Sequence, residues 1–120
     1  MPTNEPQDLS SIDNIIDATK NGTIDWITAN PTTYVWTPTS RSKVIVQRVQ
    51  KTEWSTEQGR PGVRTIKRYV FRAIEDTIQK LLLNGADDEQ INKKLETLYN
   101  AIAGSVTRKG LDFLKSISSG

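Results

Sequence analysis

The sequence predicts an α+β fold: an antiparallel sheet of three to five strands, a short N-terminal helix, and one or two C-terminal helices packed on one face. Three observations carry this reading. Apolar residues recur at helical spacing near the N-terminus and again through the last third of the chain. The stretch between, residues 23–74, is rich in β-branched and aromatic residues punctuated by turn chemistry. At 120 residues, 35% of them hydrophobic and 25% charged, the chain has the length and makeup of one globular domain rather than a disordered segment.

Residues 1–8 hold two prolines and no periodicity, and read as a mobile tail ahead of a single domain at 9–120. Leu9, Ile12, Ile15, Ile16 and Thr19 then share one helical face. Ser10 with Asp13 suits a capping box and Gly22 a left-handed residue past the helix end, which predicts a helix over about 10–20.

Thr23–Ile27 and Thr33–Thr37 read as strands, with Asn30-Pro31 as the turn between them. Val44–Val49 follows after Pro38, and Val63–Ile74 follows after a link at Ser55–Gly62 that contains three turn residues, Gly59, Pro61 and Gly62. The similar lengths of these last two runs predict a long hairpin with a basic, flexible tip. Ile66, Val70 and Ile74 share one face of the fourth run, and Lys67, Tyr69 and Phe71 the other. Neither face is purely apolar, which suits a sheet covered by a helix on one side and only partly on the other.

Residues 74–85 fit two readings. Ile74, Ile78, Leu81 and Leu82 suit a helix closed by Gly85, whereas Ile78–Leu83 suits a further strand after a tight turn at Glu75-Asp76. Periodicity over so short a stretch does not decide between them, and the helix is the slightly preferred of the two. Asp87 with Gln90 marks the next helix start, with Asp88 and Glu89 favourable in its first turn. Ile91, Leu95, Leu98, Ile102, Val106, Phe113 and Ile117 continue one stripe. Gly104 and Gly110 each cost about 1 kcal/mol in a helix interior, so a kink or break is expected near one of them. The predicted core is Ile12, Ile15, Ile16, Trp36, Val44, Val46, Val70, Ile91, Leu95, Leu98 and Ile102.

Composition narrows the chemistry. The chain has no His and no Cys, so Ser-His and Cys-His nucleophiles, disulfides and thiolate metal sites are all excluded. Asp87-Asp88-Glu89 lacks the alternation and glycine of a calcium loop and reads as a helix N-terminus. Gly59-Arg60-Pro61-Gly62 lacks the Lys-Ser/Thr ending of a phosphate-binding loop and reads as a turn. No enzyme activity, cofactor or metal is expected. No apolar run approaches the roughly 20 residues that span a bilayer, and MPTNEPQDLS is not a secretory signal, so the sequence predicts a cytoplasmic protein without a membrane partner.

Charge is the informative feature. Between Arg41 and Arg72 lie nine basic residues and two acids, a local net charge of +7, against −5 for the rest of the chain. Alternation along a strand projects Arg64, Arg68 and Arg72 together, and Arg forks bidentately to phosphate oxygens. Arg48 on the neighbouring strand, with Lys43, Lys51 and Arg60 near its ends, extends this into a stripe, and Lys67 adds to the basic hairpin of residues 41–72. Trp54, at the end of a basic strand beside the link, is the aromatic expected to be exposed and available for stacking on a base.

The sequence therefore predicts a nucleic-acid-binding module that contacts phosphates through this hairpin. The plainer reading is a solvated strand face whose Lys and Arg stems cover apolar surface; the near absence of acids argues against it. The rival class is an adaptor, inhibitor or immunity-type module whose basic sheet docks on an acidic protein. The long C-terminal stripe reads as the helix that covers the sheet, and also suits a homodimer seam.

Overall fold

Turns of two residues separate the strands, so the sheet is a simple meander. The computed structural model describes residues 5–57 and 59–118, with side chains for 9–54, 59 and 62–118. In chain order the elements are α1 (Glu5–Lys20), β1 (Ile27–Asn30), β2 (Thr33–Thr39), β3 (Ser42–Glu57), β4 (Arg60–Glu75), β5 (Ile78–Asn84) and α2 (Glu89–Ser118). The five strands pair antiparallel in the order β1-β2-β3-β4-β5, and both helices lie on one face of the sheet, as the sequence predicts for an α+β fold.

The helix α1 begins at Glu5, earlier than its apolar periodicity suggests, and Pro6 sits in its first turn, where the missing N–H costs nothing. Residues 5–8, assigned to a tail from sequence, are thus helical, and residues 1–4 lie outside the described residues. Ser10 is interior rather than a cap. At the other end Gly22 has φ +80°, the Gly22 N–H donates to Thr19 C=O and the Thr23 N–H donates to Ala18 C=O. This is the Schellman arrangement expected of a C-terminal glycine. Residues 23–26 are not a strand. Instead Ile24 and Trp26 tuck into the core, and the Trp26 indole Nε1–H donates to Thr19 Oγ1 at 3.0 Å.

Three features fix the strand ends. Asn30 Oδ1 accepts from the Thr32 N–H at 3.0 Å, closing the β1–β2 turn. The β3 and β4 strands pair over sixteen residues each without a bulge, down to Glu57 opposite Arg60, so residues 55–57 and 60–62 of the expected link are strand. Gly59 has φ +74°, a conformation that costs a glycine no strain. At the opposite end Arg41 grips Asp76 through two hydrogen bonds, 2.6 Å and 2.7 Å, and ties the β2–β3 turn to the β4–β5 turn.

The helical reading of 74–85 is overturned, because residues 78–84 form β5. Asp76 and Thr77 both adopt positive φ, 53° and 67°, which is the twist of a two-residue type I′ hairpin. Alternation then decides the faces: Leu81 and Leu83 turn towards the core, while Ile78 and Leu82 are exposed. Pairing with the β4 edge satisfies backbone groups that a helix could satisfy only with its own, so the apolar spacing of 74–82 does not govern.

Asp88, not Asp87, caps α2: its Oδ1 accepts from the N–H groups of Gln90 and Ile91. The expected break at Gly104 or Gly110 does not occur, since α2 is one continuous helix of 30 residues. Packing of its first five turns overrides the weak propensity penalty of Gly104. The core joins Ile12, Ile16, Ile24, Trp26, Val44, Val46, Tyr69, Phe71, Leu83, Leu95, Leu98, Tyr99 and Ile102, with Ile15, Trp36 and Ile91 half-buried against it. Val70 is also buried, but on the face away from the helices. Beyond Lys109 the stripe of α2 leaves the body, and Leu111, Phe113, Leu114 and Ile117 are all more than half exposed. No described helix is long and apolar enough to cross a membrane.

One side chain finishes the sheet. The β5 strand stops at Asn84, leaving part of the β4 edge open, and the Asn92 amide of α2 takes its place. Its Oδ1 accepts from the Tyr69 N–H at 2.9 Å, and its Nδ2 donates to Lys67 C=O at 3.3 Å. The Gly85 N–H completes the series by donating to Tyr69 C=O at 2.7 Å. Gly85 must be glycine for this approach, because a Cβ there would lie 2.1 Å from Asn92 Oδ1.

Asn92→Ala is therefore expected to cost about 2–4 kcal/mol by leaving two backbone groups unpaired, and Gly85→Ala about 1–3 kcal/mol by overpacking. The double variant should be no less stable than Asn92→Ala alone, because removing the amide removes the clash. Urea denaturation of the four proteins tests this cycle; additive losses would show that the two positions do not meet.

Candidate nucleic-acid interface

Because β3 and β4 pair without a bulge, the side chains of residues 42–54 and 62–75 have assigned faces. Even positions of β3 and odd positions of β4 face α2. Odd positions of β3 and even positions of β4 face solvent. The solvent face consists of cross-strand rows, each two residues and about 6.7 Å beyond the last. These rows are Glu53–Arg64, Lys51–Ile66, Val49–Arg68, Gln47–Val70, Ile45–Arg72 and Lys43–Ile74. Five of the six carry one cation, and only the Gln47–Val70 row carries none.

This ladder unites Lys51, Arg64, Arg68 and Arg72, with Lys43 on the same face at its far end, all five of them in the stripe read from the sequence. It separates three other predicted residues. Arg48 and Lys67 face the helix side, opposite Tyr69 and Gln50 respectively, and Trp54 lies on that side opposite Val63. The side chain of Arg60 is outside the described residues, although its backbone opens β4 opposite Glu57.

Arg48 is a structural residue. Its guanidinium carbon lies 5.5 Å from the centroid of the Tyr99 ring, a cation–π contact. Tyr99 also meets Tyr34 at 5.2 Å and Tyr69 at 5.3 Å between centroids. Burial raises the pKa of Tyr34 and Tyr69 above that of an ordinary phenol, with Tyr99 adding to the rise and Arg48 opposing it; Glu96 adds further at Tyr69. Arg48 therefore sits where a positive charge is tolerated by aromatic faces, half-buried and turned away from any ligand on the ladder.

Outside the ladder three cations are held by carboxylates. Lys94 bonds Asp13 at 2.7 Å, Lys109 bonds Asp25, and Arg41 is held by Asp76. Arg68 has one distant carboxylate, Glu89 Oε1 at 4.0 Å. Among the described residues no carboxylate lies within ion-pair distance of Lys43, Lys51, Arg64 or Arg72. Between the cations lie Ile45, Val49, Ile66, Val70 and Ile74. Val70 is only 8% exposed although no helix covers it.

Half of the hairpin stands clear of the body. The β2 pairing with β3 ends at Gln47, the Asn92 contact with β4 ends at Lys67, and residues 49–57 with 60–66 form a two-stranded arm about 30 Å long. Trp54, 81% exposed, stands on this arm. Among the described residues no group of three or more acidic side chains is placed to hold a metal ion.

Arrangement and sequence agree on the three arginines because strand parity alone joins them. Which β3 cations join them, Lys43 and Lys51 but not Arg48, depends on how β3 aligns with β4, which is set by the Glu57–Arg60 pair. Comparison of the chain with protein-family models, with curated proteins and with solved structures finds no match.

Proposed function

We propose that the protein is a non-enzymatic binding module that holds nucleic-acid phosphates on the open face of the β3–β4 hairpin, residues 41–72. The observation that carries this is the ladder: five unburied cations, three of them arginines, in five of six rows about 6.7 Å apart, with one acid among the described side chains, Glu53, at its outer end. A polyanion with regularly repeated charge is the ligand that such a row matches, because each phosphate neutralised releases counterions. No cofactor or membrane is part of this reading. A chain free of cysteine suits the reducing cytoplasm.

The rival is an acidic protein docked on the same face. It would need carboxylates in the same linear spacing, and would be favoured by an isolated cluster of cations more than by a ladder.

The α2 overhang supports a further part of the proposal, a homodimer. Leu111, Phe113, Leu114 and Ile117 extend the core stripe into solvent, and a second copy would cover them isologously. Sedimentation should show a concentration-dependent dimer that Phe113→Glu with Ile117→Glu abolishes while the melting temperature holds. A species that stays monomeric at every concentration overturns it.

For the ladder, binding of short oligonucleotides across a salt series is the test. With five contacts, log affinity should fall against log salt with a slope of about −3.5 to −4.5. Replacing Arg64, Arg68 and Arg72 together by Gln should flatten that slope by about 2 to 3 without unfolding the protein. Lys67→Gln, on the other face, should leave it unchanged, and Arg48→Gln should lower stability by about 1 kcal/mol with no change of slope. If no oligonucleotide binds more tightly than about 100 μM near physiological salt, the weak end of non-specific binding, the reading fails and the acidic-protein rival stands.

A further inference from the structure

We infer that the ligand of the ladder is double-stranded DNA, straddled so that two groups of cations sit on the two phosphate banks of one groove. This rests on the nucleic-acid reading above and goes beyond it in naming the form of nucleic acid.

The cations are grouped rather than evenly spread. Arg64, Lys51 and Arg68 occupy three consecutive rows on the arm side; Arg72 and Lys43 occupy two consecutive rows on the body side. Between them the Gln47–Val70 row is neutral, and it continues across the sheet to Thr33 of β2 and Asn84 of β5. From Arg68 to Arg72 the strand rises about 13 Å, close to the roughly 12 Å width of the B-DNA major groove. From the first row to the last it rises about 33 Å, close to the 34–36 Å of one duplex turn. A duplex laid along the hairpin therefore finds cations at both banks and uncharged side chains over the gap. In that gap Gln47 carries an amide, and Thr33 carries a buried hydroxyl with no partner among the described residues.

A single strand fits the same face poorly. Single-strand platforms hold unpaired bases by stacking them on aromatic rings. The ladder face carries none: its uncharged members are Ile45, Gln47, Val49, Ile66, Val70 and Ile74. Trp54 is on the opposite side of the arm, and Tyr69 and Phe71 are in the core. What the face offers is charge at the intervals set by the strand register and no stacking surface, which rewards a stiff partner whose phosphates are already in place. A-form RNA is a weaker fit, because its major groove is deep and narrow and its banks do not stand at this separation.

Fluorescence anisotropy on the whole chain, with a mixed-sequence duplex of about two turns, each of its single strands, and the matching RNA duplex, tests the inference. The DNA duplex is expected to bind at least tenfold more tightly than either single strand or the RNA duplex, with a salt slope near −4.5 for five contacts. Lys43→Gln with Arg72→Gln, and separately Lys51→Gln with Arg64→Gln, should each reduce that slope by about 2. Circular dichroism melts of both pairs show whether the fold is retained, and the duplex-to-single-strand ratio of the unaltered protein needs no variant at all. Single strands or RNA duplex binding as tightly as DNA duplex would overturn this inference and leave the phosphate-binding reading intact. An unchanged slope in the Lys43/Arg72 pair would overturn the two-bank arrangement. Failure of every oligonucleotide to bind would overturn both readings.

Discussion

The alignment of β3 against β4 is the constraint on which everything else depends. Sixteen cross-strand pairs run without interruption from Ser42–Glu75 to Glu57–Arg60. A slip of one residue would carry Val44, Val46, Tyr69 and Phe71 out of the core and put Lys43, Arg68 and Arg72 in their place. Two devices oppose that slip. At the body end Arg41 and Asp76 lock the neighbouring turns together, and in the middle the Tyr34, Tyr69 and Tyr99 rings pack as a contiguous set beneath α2. The core and the ladder are thus two readings of one register: the force that buries one face is what lines up the cations on the other.

The same register makes the arm costly to keep and explains its composition. A two-stranded ribbon alone in water is marginal, and each of its edges exposes unpaired backbone groups. The chain answers with β-branched and aromatic residues along the arm, Val49, Thr52, Trp54, Val63, Thr65 and Ile66, whose cross-strand pairs stabilise it locally. It also guards the edges with Lys51, Arg64 and Lys67, and with Pro61 near the tip, which has no N–H to offer another strand. Charge on the arm therefore has a structural use on either face. Repetition in every row but one, on one face only, is what edge protection does not explain.

Much of the fold was legible because it rests on local rules. Gly22 past α1, the Asn30-Pro31 turn, the alternation that joins Arg64, Arg68 and Arg72, and the stripe Leu95, Leu98, Ile102 each follow from spacing of a few residues. What was not legible depended on distant partners. Residues 78–84 have helical apolar spacing, and only the free edge of β4 makes them a strand. Arg48 belongs to the basic run in sequence, yet Tyr99, more than fifty positions away, draws it to the covered face. The alignment that puts Lys43 and Lys51 on the arginine face and Arg48 on the other runs to the Glu57–Arg60 pair, inside a stretch that its glycines and proline mark as a link. The Asn92 amide that completes the β4 edge has no local signature, since it works through its distance to Tyr69 and Lys67.

Electrostatic asymmetry is the step that links this fold to a partner. Ion pairs on the helices and outer turns join Lys94 with Asp13, Lys109 with Asp25 and Arg41 with Asp76. On the ladder the one pair among the described residues is the distant Arg68–Glu89 contact, and more carboxylates opposite its cations would have stabilised the isolated sheet at little structural cost. Exposed pairs of that kind contribute only about 0–1 kcal/mol each, so folding alone exerts little pressure either to form or to avoid them. Leaving four of five cations without an acid near enough to pair therefore says little about stability and more about the field outside the protein. With Debye screening near 8 Å at physiological salt, charges about 6.7 Å apart act together on a ligand rather than singly. A row of this kind attracts most strongly an anion whose own charges repeat at comparable intervals, and it discriminates by stiffness, because a flexible polyanion loses conformational entropy in lining up whereas a duplex has already lost it.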